Sequence, residues 1–457
     1  MNGIEEIHLP PRNQHKTIPV PVDHLISVKH NRWSKRFKIW IGVCAVIGIA
    51  TFLTAVLIPI LLINGKSAIS TTSTKTSVTS TTNTTTTLVE GGQRHIKNLK
   101  VGDKIWSIND HNFELVEDEI VLMMHNEPNQ KEWSNTGSMN YARDGHTSSV
   151  LLNGKVLVCG GNNEVSTLKS AELYDPSTGT WTTTSNMNNA RSGHTASVLT
   201  NGQVLVTGGY NDRALDSAEL YDPLTEIWTN TGKMNNARAS HTSTVLKNGR
   251  VLVTGGSNGN VLDSAEVYDR LTRIWTTTRN MTIAREEHTA SVLINGKVLI
   301  AGGAHNYHIS SAEFYDPITE TWTITGTMND ERYAHTATVL TDGKVLVSSG
   351  GPNSAELYDP STEHWVFTGN MSDARFIHTA SLLTNGKVLV IGGYIAGVYL
   401  DSVELYDPST RKWSTISSMS SKRWVHAASV LMNGKVLVTG GINNSSHLNS
   451  AELYEPY

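Results

Sequence analysis

Cysteine is almost missing from this chain: there are two in 457 residues. Cys44 lies in an apolar run, which leaves Cys159 alone in the remainder, so no internal disulfide can form there and cysteine usage leaves the compartment open. An excess of one charge is missing as well. With 37 basic and 41 acidic residues and a net charge of -4, the chain has no basic stripe of the kind a nucleic-acid partner requires. Charged side chains are absent altogether from residues 39–63, a run of 25. That exceeds the roughly 20 residues, at about 1.5 Å rise each, that cross a bilayer core.

The run at 39–63 is therefore predicted to be a transmembrane helix, with Trp40 at one interface and Pro59 near the far end, where a helix tolerates it. A cleavable signal peptide is the alternative, but the apolar run is long for one and 38 residues precede it. Arg32, Lys35, Arg36 and Lys38 crowd the N-terminal flank, against Lys66 and Lys75 beyond the run. The positive-inside bias then puts residues 1–38 in the cytosol as a proline-bearing disordered tail, and everything after the span on the luminal or extracellular side: a single-pass, type II signal-anchor arrangement. Residues 64–90 read as a stalk, 16 of the 21 positions at 67–87 being Ser or Thr, either O-glycosylated or a plain spacer. In this topology the sequons at Asn83, Asn280, Asn370, Asn443 and Asn444 become candidate glycosylation sites.

From Trp133 one phrase recurs: His-Thr, an Asn-Gly or Asp-Gly turn, a Val-Leu-Val run, Gly-Gly, a variable loop, Ser-Ala-Glu-Leu-Tyr-Asp-Pro, then Trp. The histidines are His146, His194, His241, His288, His335, His378 and His426; the tryptophans are Trp133, Trp181, Trp228, Trp275, Trp322, Trp365 and Trp413. Both series step by 48, 47, 47, 47, 43 and 48, a coincidence that tandem duplication of one structural unit explains. Each unit is predicted to hold four strands. In the second, His194–Leu199 is strand a, Asn201-Gly202 a type I′ hairpin turn, Val204–Val206 strand b with both faces buried, Ser217–Tyr221 strand c and Trp228–Thr231 strand d. Four antiparallel strands at a period near 47 describe a propeller blade. The first d strand, at Trp133, has no a, b or c before it, and the last unit ends at Tyr457 without a d. The two fragments complete each other, so the fold class is all-β: a seven-bladed propeller at 131–457 closed by its N-terminal strand.

The paired glycines, the Tyr and Trp seven residues apart and the Met-x-x-Ala-Arg-x-x-His connection resemble the kelch repeat, in the form found in the galactose-oxidase-like central domain. Sialidase-type propellers do not account for the paired glycines. The stretch Gly92–Trp106 with Val116–Pro128 resembles a fragment of a Hint (hedgehog/intein) self-processing module, lacking both its starting cysteine and its later activating histidine. Residues 91–130 are therefore either an inactive Hint relic or a short β linker.

A residue present in every blade serves the blade, whereas a binding site belongs to one or two blades. The seven histidines are thus expected to make structural hydrogen bonds, not a metal ring. Arg143, Arg191, Arg238, Arg285, Arg332, Arg375 and Arg423 are expected to pair with the Ser-x-Glu glutamates. The variation falls in the b–c loops, which share a face with the d–a connections. Tyr210, Asn211 and Arg213, then His305, Asn306, Tyr307 and His308, then Tyr394, Ile395 and Tyr399 are the unrepeated groups there and the candidate ligand-binding residues. The sequence reads as a membrane-anchored, non-catalytic recognition module for protein or carbohydrate, with no catalytic residues, cofactor or metal. The galactose oxidase resemblance implies an alternative, a copper carbohydrate or alcohol oxidase using His, Tyr and a Tyr-Cys radical, for which Cys159 is the sole cysteine candidate.

Overall fold

The computed structural model describes residues 132–456, Ser445 excepted, and before them only the backbone of a few short strands. The chain divides into two units, Met1–Gln130 and Lys131–Tyr457. Within the first, Ile105–Ile108 pairs antiparallel with Leu115–Val121. The tail, the apolar run at 39–63, the stalk with Asn83, and the Hint-like resemblance otherwise lie outside the described residues. No helix among the described residues is long and apolar enough to cross a membrane.

The second unit is all-β, with seven four-stranded antiparallel sheets. Blade 2 runs Thr195–Val198, Val204–Thr207, Ala218–Asp222 and Ile227–Asn230 as strands a to d, and blades 1 and 3 to 6 repeat it. Blade 7 takes Ala427–Val430, Val436–Thr439 and Ala451–Tyr454 from the end of the chain and Trp133–Asn135 from its start. Tyr454 pairs with Trp133 and Glu452 with Asn135, and the Glu455 amide donates to the Glu132 carbonyl at 2.8 Å. The ring therefore has no open edge between its first and last blades.

Two local expectations are corrected. Strand a begins after the histidine, because the residue before it is left-handed (Gly193, φ 56°) and the chain becomes extended only at Thr195. The a–b turn is not type I′. Only its glycine has positive φ (Gly202, 85°), Leu199 C=O accepts the Gly202 amide at 2.9 Å, and the Leu199 amide donates to Gln203 at 2.8 Å. That is a type I turn closed by a glycine bulge, which an Asn-Gly pair fits equally well.

Strand b is buried at every position in all seven blades, because its alternate side chains enter two different cores. Val204 and Val206 pack with Leu151 and Leu157 of blade 1, while Leu205 packs with Val251 and Val253 of blade 3. The apolar core is thus a series of clusters between neighbouring blades, and Trp133 and Tyr454 belong to the one between blades 6 and 7.

A polar lattice ties the same seams. Arg191 is buried; its Nη2 donates to Glu219 Oε1 at 2.8 Å and its Nη1 to the Gly208 carbonyl at 2.6 Å, while Glu219 Oε2 accepts the Asn188 amide at 2.6 Å. Burial opposes the charge on Glu219, but these amides and the guanidinium outweigh it and hold the carboxyl below its ordinary range. The histidine reaches the previous blade, His241 Nε2 lying 3.0 Å from Thr195 Oγ1 and 3.2 Å from Thr207 Oγ1. The expected structural hydrogen bonds of the repeated Arg, Glu and His are all present, blade after blade.

Candidate functional site

The lattice fixes each Arg-x-x-His connection, and the two residues between the arginine and the histidine stand free of the repeat. The inner one precedes the histidine and is left-handed in every blade: Gly145, Gly193, Ser240, Glu287, Ala334, Ile377 and Val425 have φ between 49° and 57°. These residues hand backbone hydrogen bonds around the axis. Gly193 donates to Gly145, Ser240 to Gly193, Glu287 to Ser240, Ala334 to Glu287, Ile377 to Ala334 and Gly145 to Val425, at 3.0–3.2 Å. The outer residue is strapped to the start of its own blade's b–c loop, as in the antiparallel bridges of Ser192 with Tyr210, Glu286 with Ala304, Phe376 with Tyr394 and Trp424 with Ile442.

Around this double ring the chemistry is one-sided. Blades 1 to 4 place Asp144, Ser192, Ala239 and Glu286 at the outer position; blades 5 to 7 place Tyr333, Phe376 and Trp424 there. The aromatics touch one another. His308 stacks on Tyr333 with ring centroids 4.1 Å apart, Tyr333 lies 5.0 Å from Phe376, Tyr394 lies 5.0 Å from Trp424, and Tyr399 lies 5.5 Å from Tyr394. Two aromatic clusters result, Tyr333 with Phe376 and Trp424 with the two tyrosines, joined by the backbone bridge of Phe376 with Tyr394 into a crescent of half-buried rings that His308 ends.

Blade 5 opens the crescent. Its b–c loop runs only from Ser349 to Asn353, against Gly302–Ser311 in blade 4 and Gly392–Ser402 in blade 6. The shortening displaces the paired glycines by one position. Ser349 (φ 53°) takes the first glycine's place, and its Oγ accepts the Arg375 amide at 2.7 Å, a bond that a leucine or isoleucine carbonyl accepts elsewhere, as Leu168 does from Arg191. Among the described residues blade 5 has no b–c hairpin of its own beside Tyr333, whose ring meets His308 of the blade 4 hairpin instead.

The residues singled out from sequence divide accordingly. Tyr394, Ile395 and Tyr399 form a small hairpin with Val398, and its two tyrosines belong to the crescent. His305, Asn306, Tyr307 and His308 form the blade 4 hairpin, from which His308 reaches the crescent while Tyr307 stays 69% exposed. Tyr210, Asn211 and Arg213 form a third hairpin in blade 2, apart from the aromatic contacts. Tyr333, Phe376 and Trp424 were missed, although the signal was present: they occupy the first of the two unspecified positions of an otherwise constant Arg-x-x-His phrase. Among the sequons, Asn280, Asn370 and Asn444 are exposed; Asn443 is half-buried and its Oδ1 accepts the Ser446 amide at 3.1 Å.

The acidic side of the ring is short of cations. Glu286 and Glu287 are half-buried, and neither carboxylate has a hydrogen bond or ion pair among the described residues. Burial, then the charge of Glu286, pushes the Glu287 carboxyl above its ordinary range. Asp144, also raised by burial, has His447 Nε2 at 3.5 Å.

A copper centre does not fit these residues. Cys159 is buried, its thiol pushed up to about 11 by burial, and its Sγ lies 3.3 Å from Thr147 Oγ1 and 3.8 Å from His194 Nε2. Thr207 and Thr254 make the same contacts in the next blades, so Cys159 fills a repeat position. No three His, Cys, Asp or Glu side chains converge as a metal-binding group among the described residues. Two clefts of about 230 and 380 Å³ lie on the opposite face, among a–b and c–d turns such as Lys344, Asp359 and Arg411, or Asn153, Pro176 and Met432.

Comparison with known families agrees with this architecture. The Kelch motif matches residues 238–282, 288–329, 376–420 and 423–456, and the KLHDC2/KLHL20/DRC7 Kelch-repeats domain matches 109–256. The second unit is a seven-bladed propeller that contains Kelch repeats, at the residues these models match. No curated protein matches the chain in sequence. Among solved structures, a fungal alcohol oxidase of the AA5 family in complex with copper is similar, with a TM-score of 0.60, 18% identity, and 71% of this chain and 76% of that one covered. At that identity the likeness is one of fold.

Proposed function

We propose that this chain is a non-catalytic recognition module, held to a membrane by a single span at 39–63, which binds a protein partner through the face of its b–c loops and d–a connections. Kelch repeat domains are typically non-enzymatic modules of protein interaction, which supports a binding role. The observation that carries the reading is the asymmetry at the outer position of Arg-x-x-His: polar or small in blades 1 to 4, aromatic in blades 5 to 7, on a scaffold otherwise repeated seven times. Large amphipathic rings grouped in one place are the side chains that dominate interfaces. A protein surface is the ligand class proposed, since the rings already lean on one another and Phe376, Ile377 and Val425 add apolar side chains beside them. The luminal or extracellular placement, and glycans on the exposed Asn280, Asn370 and Asn444, belong to this proposal.

The test is to screen the purified full chain against a displayed library of random peptides and against a glycan array, then to repeat each hit with Tyr394→Ala and Trp424→Ala together. Peptide hits weakened at least tenfold by the pair support the reading. Hits confined to glycans, or hits indifferent to both changes, contradict it.

A further inference from the structure

The inner ring carries strain where the crescent lies. A left-handed backbone suits glycine, as at Gly145 and Gly193, and is a true outlier for β-branched residues. Blades 6 and 7 nevertheless put Ile377 at φ 50° and Val425 at φ 54° in that place. Nothing in the lattice demands their side chains, because blades 1 and 2 make the same ring bonds with glycine. Strain kept where an unstrained residue serves the fold marks a side chain retained for contact. These two lie inward of Phe376 and Trp424 and extend the apolar surface towards the axis.

At one end of that surface stands uncompensated negative charge. Glu287 C=O accepts the Ala334 amide, the residue next to Tyr333, and Glu286 is bridged to Ala304, at the base of the hairpin whose His308 stacks on Tyr333. The arginines on either side, Arg285 and Arg332, are committed to Glu313 and Glu356, and the residue pairs of all seven Arg-x-x-His phrases contain no Lys or Arg. An apolar shelf ending in two unpaired carboxylates is complementary to a cation followed by apolar side chains.

We propose that the crescent receives a protein segment in which a lysine or arginine adjoins aromatic or aliphatic residues, the cation set against Glu286 and Glu287 and its apolar neighbours on Tyr333, Phe376 and Trp424. This deepens the recognition reading above and depends on it. The cation stays half in solvent and can also lie over the Tyr333 ring. Ile377 and Val425 fill the inner edge of the shelf, and the strain of their backbone is offset only when they are covered.

Three peptides serve as probes, identical except at one position: Gly-Ser-Leu-Xaa-Phe-Leu-Ser-Gly with Xaa as Lys, Gln or Glu, titrated against the full chain at low salt. The lysine peptide should bind at least tenfold more tightly than the glutamate peptide, and Glu286→Gln with Glu287→Gln should remove most of that difference while leaving the glutamine peptide within about twofold. Ile377→Gly with Val425→Gly should keep or raise the melting temperature and weaken all three peptides at least fivefold. A third variant, Tyr333→Ser with Phe376→Ser, separates the layers of the argument. If it abolishes binding while the glutamine changes leave discrimination intact, the face stands and the charge inference falls. If no variant alters binding, or no peptide binds below about 1 mM, both fall. A lower melting temperature for the glycine pair with unchanged binding would overturn the role given to the strained ring.

Discussion

Single residues explain why so polar a centre is stable. The buried arginines and glutamates occur as matched sets in which guanidinium, carboxylate, two carbonyls and two amides meet, so each charge is met by the others. Removing one member leaves its partner buried and charged. Arg191→Ala should therefore cost about 3–5 kcal/mol in a denaturant titration; a loss below about 1 kcal/mol would deny the lattice its role. The histidines make a second residue-scale prediction. Burial first, and the neighbouring arginines next, hold His194, His335 and His426 at about 3, so the fold keeps these rings neutral. An unfolded histidine takes a proton near pH 6.5. Below that pH the unfolded state binds more protons than the native one, so stability should be complete above about pH 6.5 and decline steadily as the pH falls towards 3. Guanidinium midpoints measured from pH 7.5 to 4 test this, and midpoints independent of pH would contradict it.

At the scale of elements, packing between blades decides which glycines matter. A Cβ on Gly208 would come within 2.4 Å of the Arg238 carbonyl and 2.7 Å of the His241 ring, whereas one on Gly193 meets nothing within 4 Å. Gly208→Ala should destabilise severely and Gly193→Ala by no more than the backbone cost of about 1–2 kcal/mol; equal melting temperatures for the two variants would show that the seam between blades is not tight. The closing strand gives the other prediction. Deleting residues 131–139 removes Trp133, its pairing with Tyr454 and its indole bond to the Ser417 carbonyl at 2.9 Å, so the cooperative melt should vanish or the protein should aggregate. A deletion variant melting at the parent temperature would refute closure by that strand. These elements were legible from sequence because two residue types keep one period, and the chain's missing first and last strands are complementary. The turn type was not legible, since Asn-Gly serves two geometries and only the φ of Asn201 separates them. Nor was the crescent: Tyr333, Phe376 and Trp424 sit far apart in the chain, in positions the repeat leaves unspecified, and only the stacking of successive blades brings them to one side of the ring.

Over the whole molecule, repetition and individuality are separated. Strand b, the Arg-Glu-His lattice and the Tyr and Trp rungs are the same around the circle, while the residues facing the axis on one side pass from acidic and small to aromatic and branched within seven blades. Such a scaffold tolerates change at its unrepeated positions without loss of fold. The direct measurement is to exchange Tyr333, Phe376 and Trp424 for serine, the residue blade 2 holds at that place, and to follow both melting and capture of the peptides selected by the parent chain. A single cooperative melt with loss of peptide capture is the predicted result; a folded variant that captures the same peptides with parental affinity would contradict it.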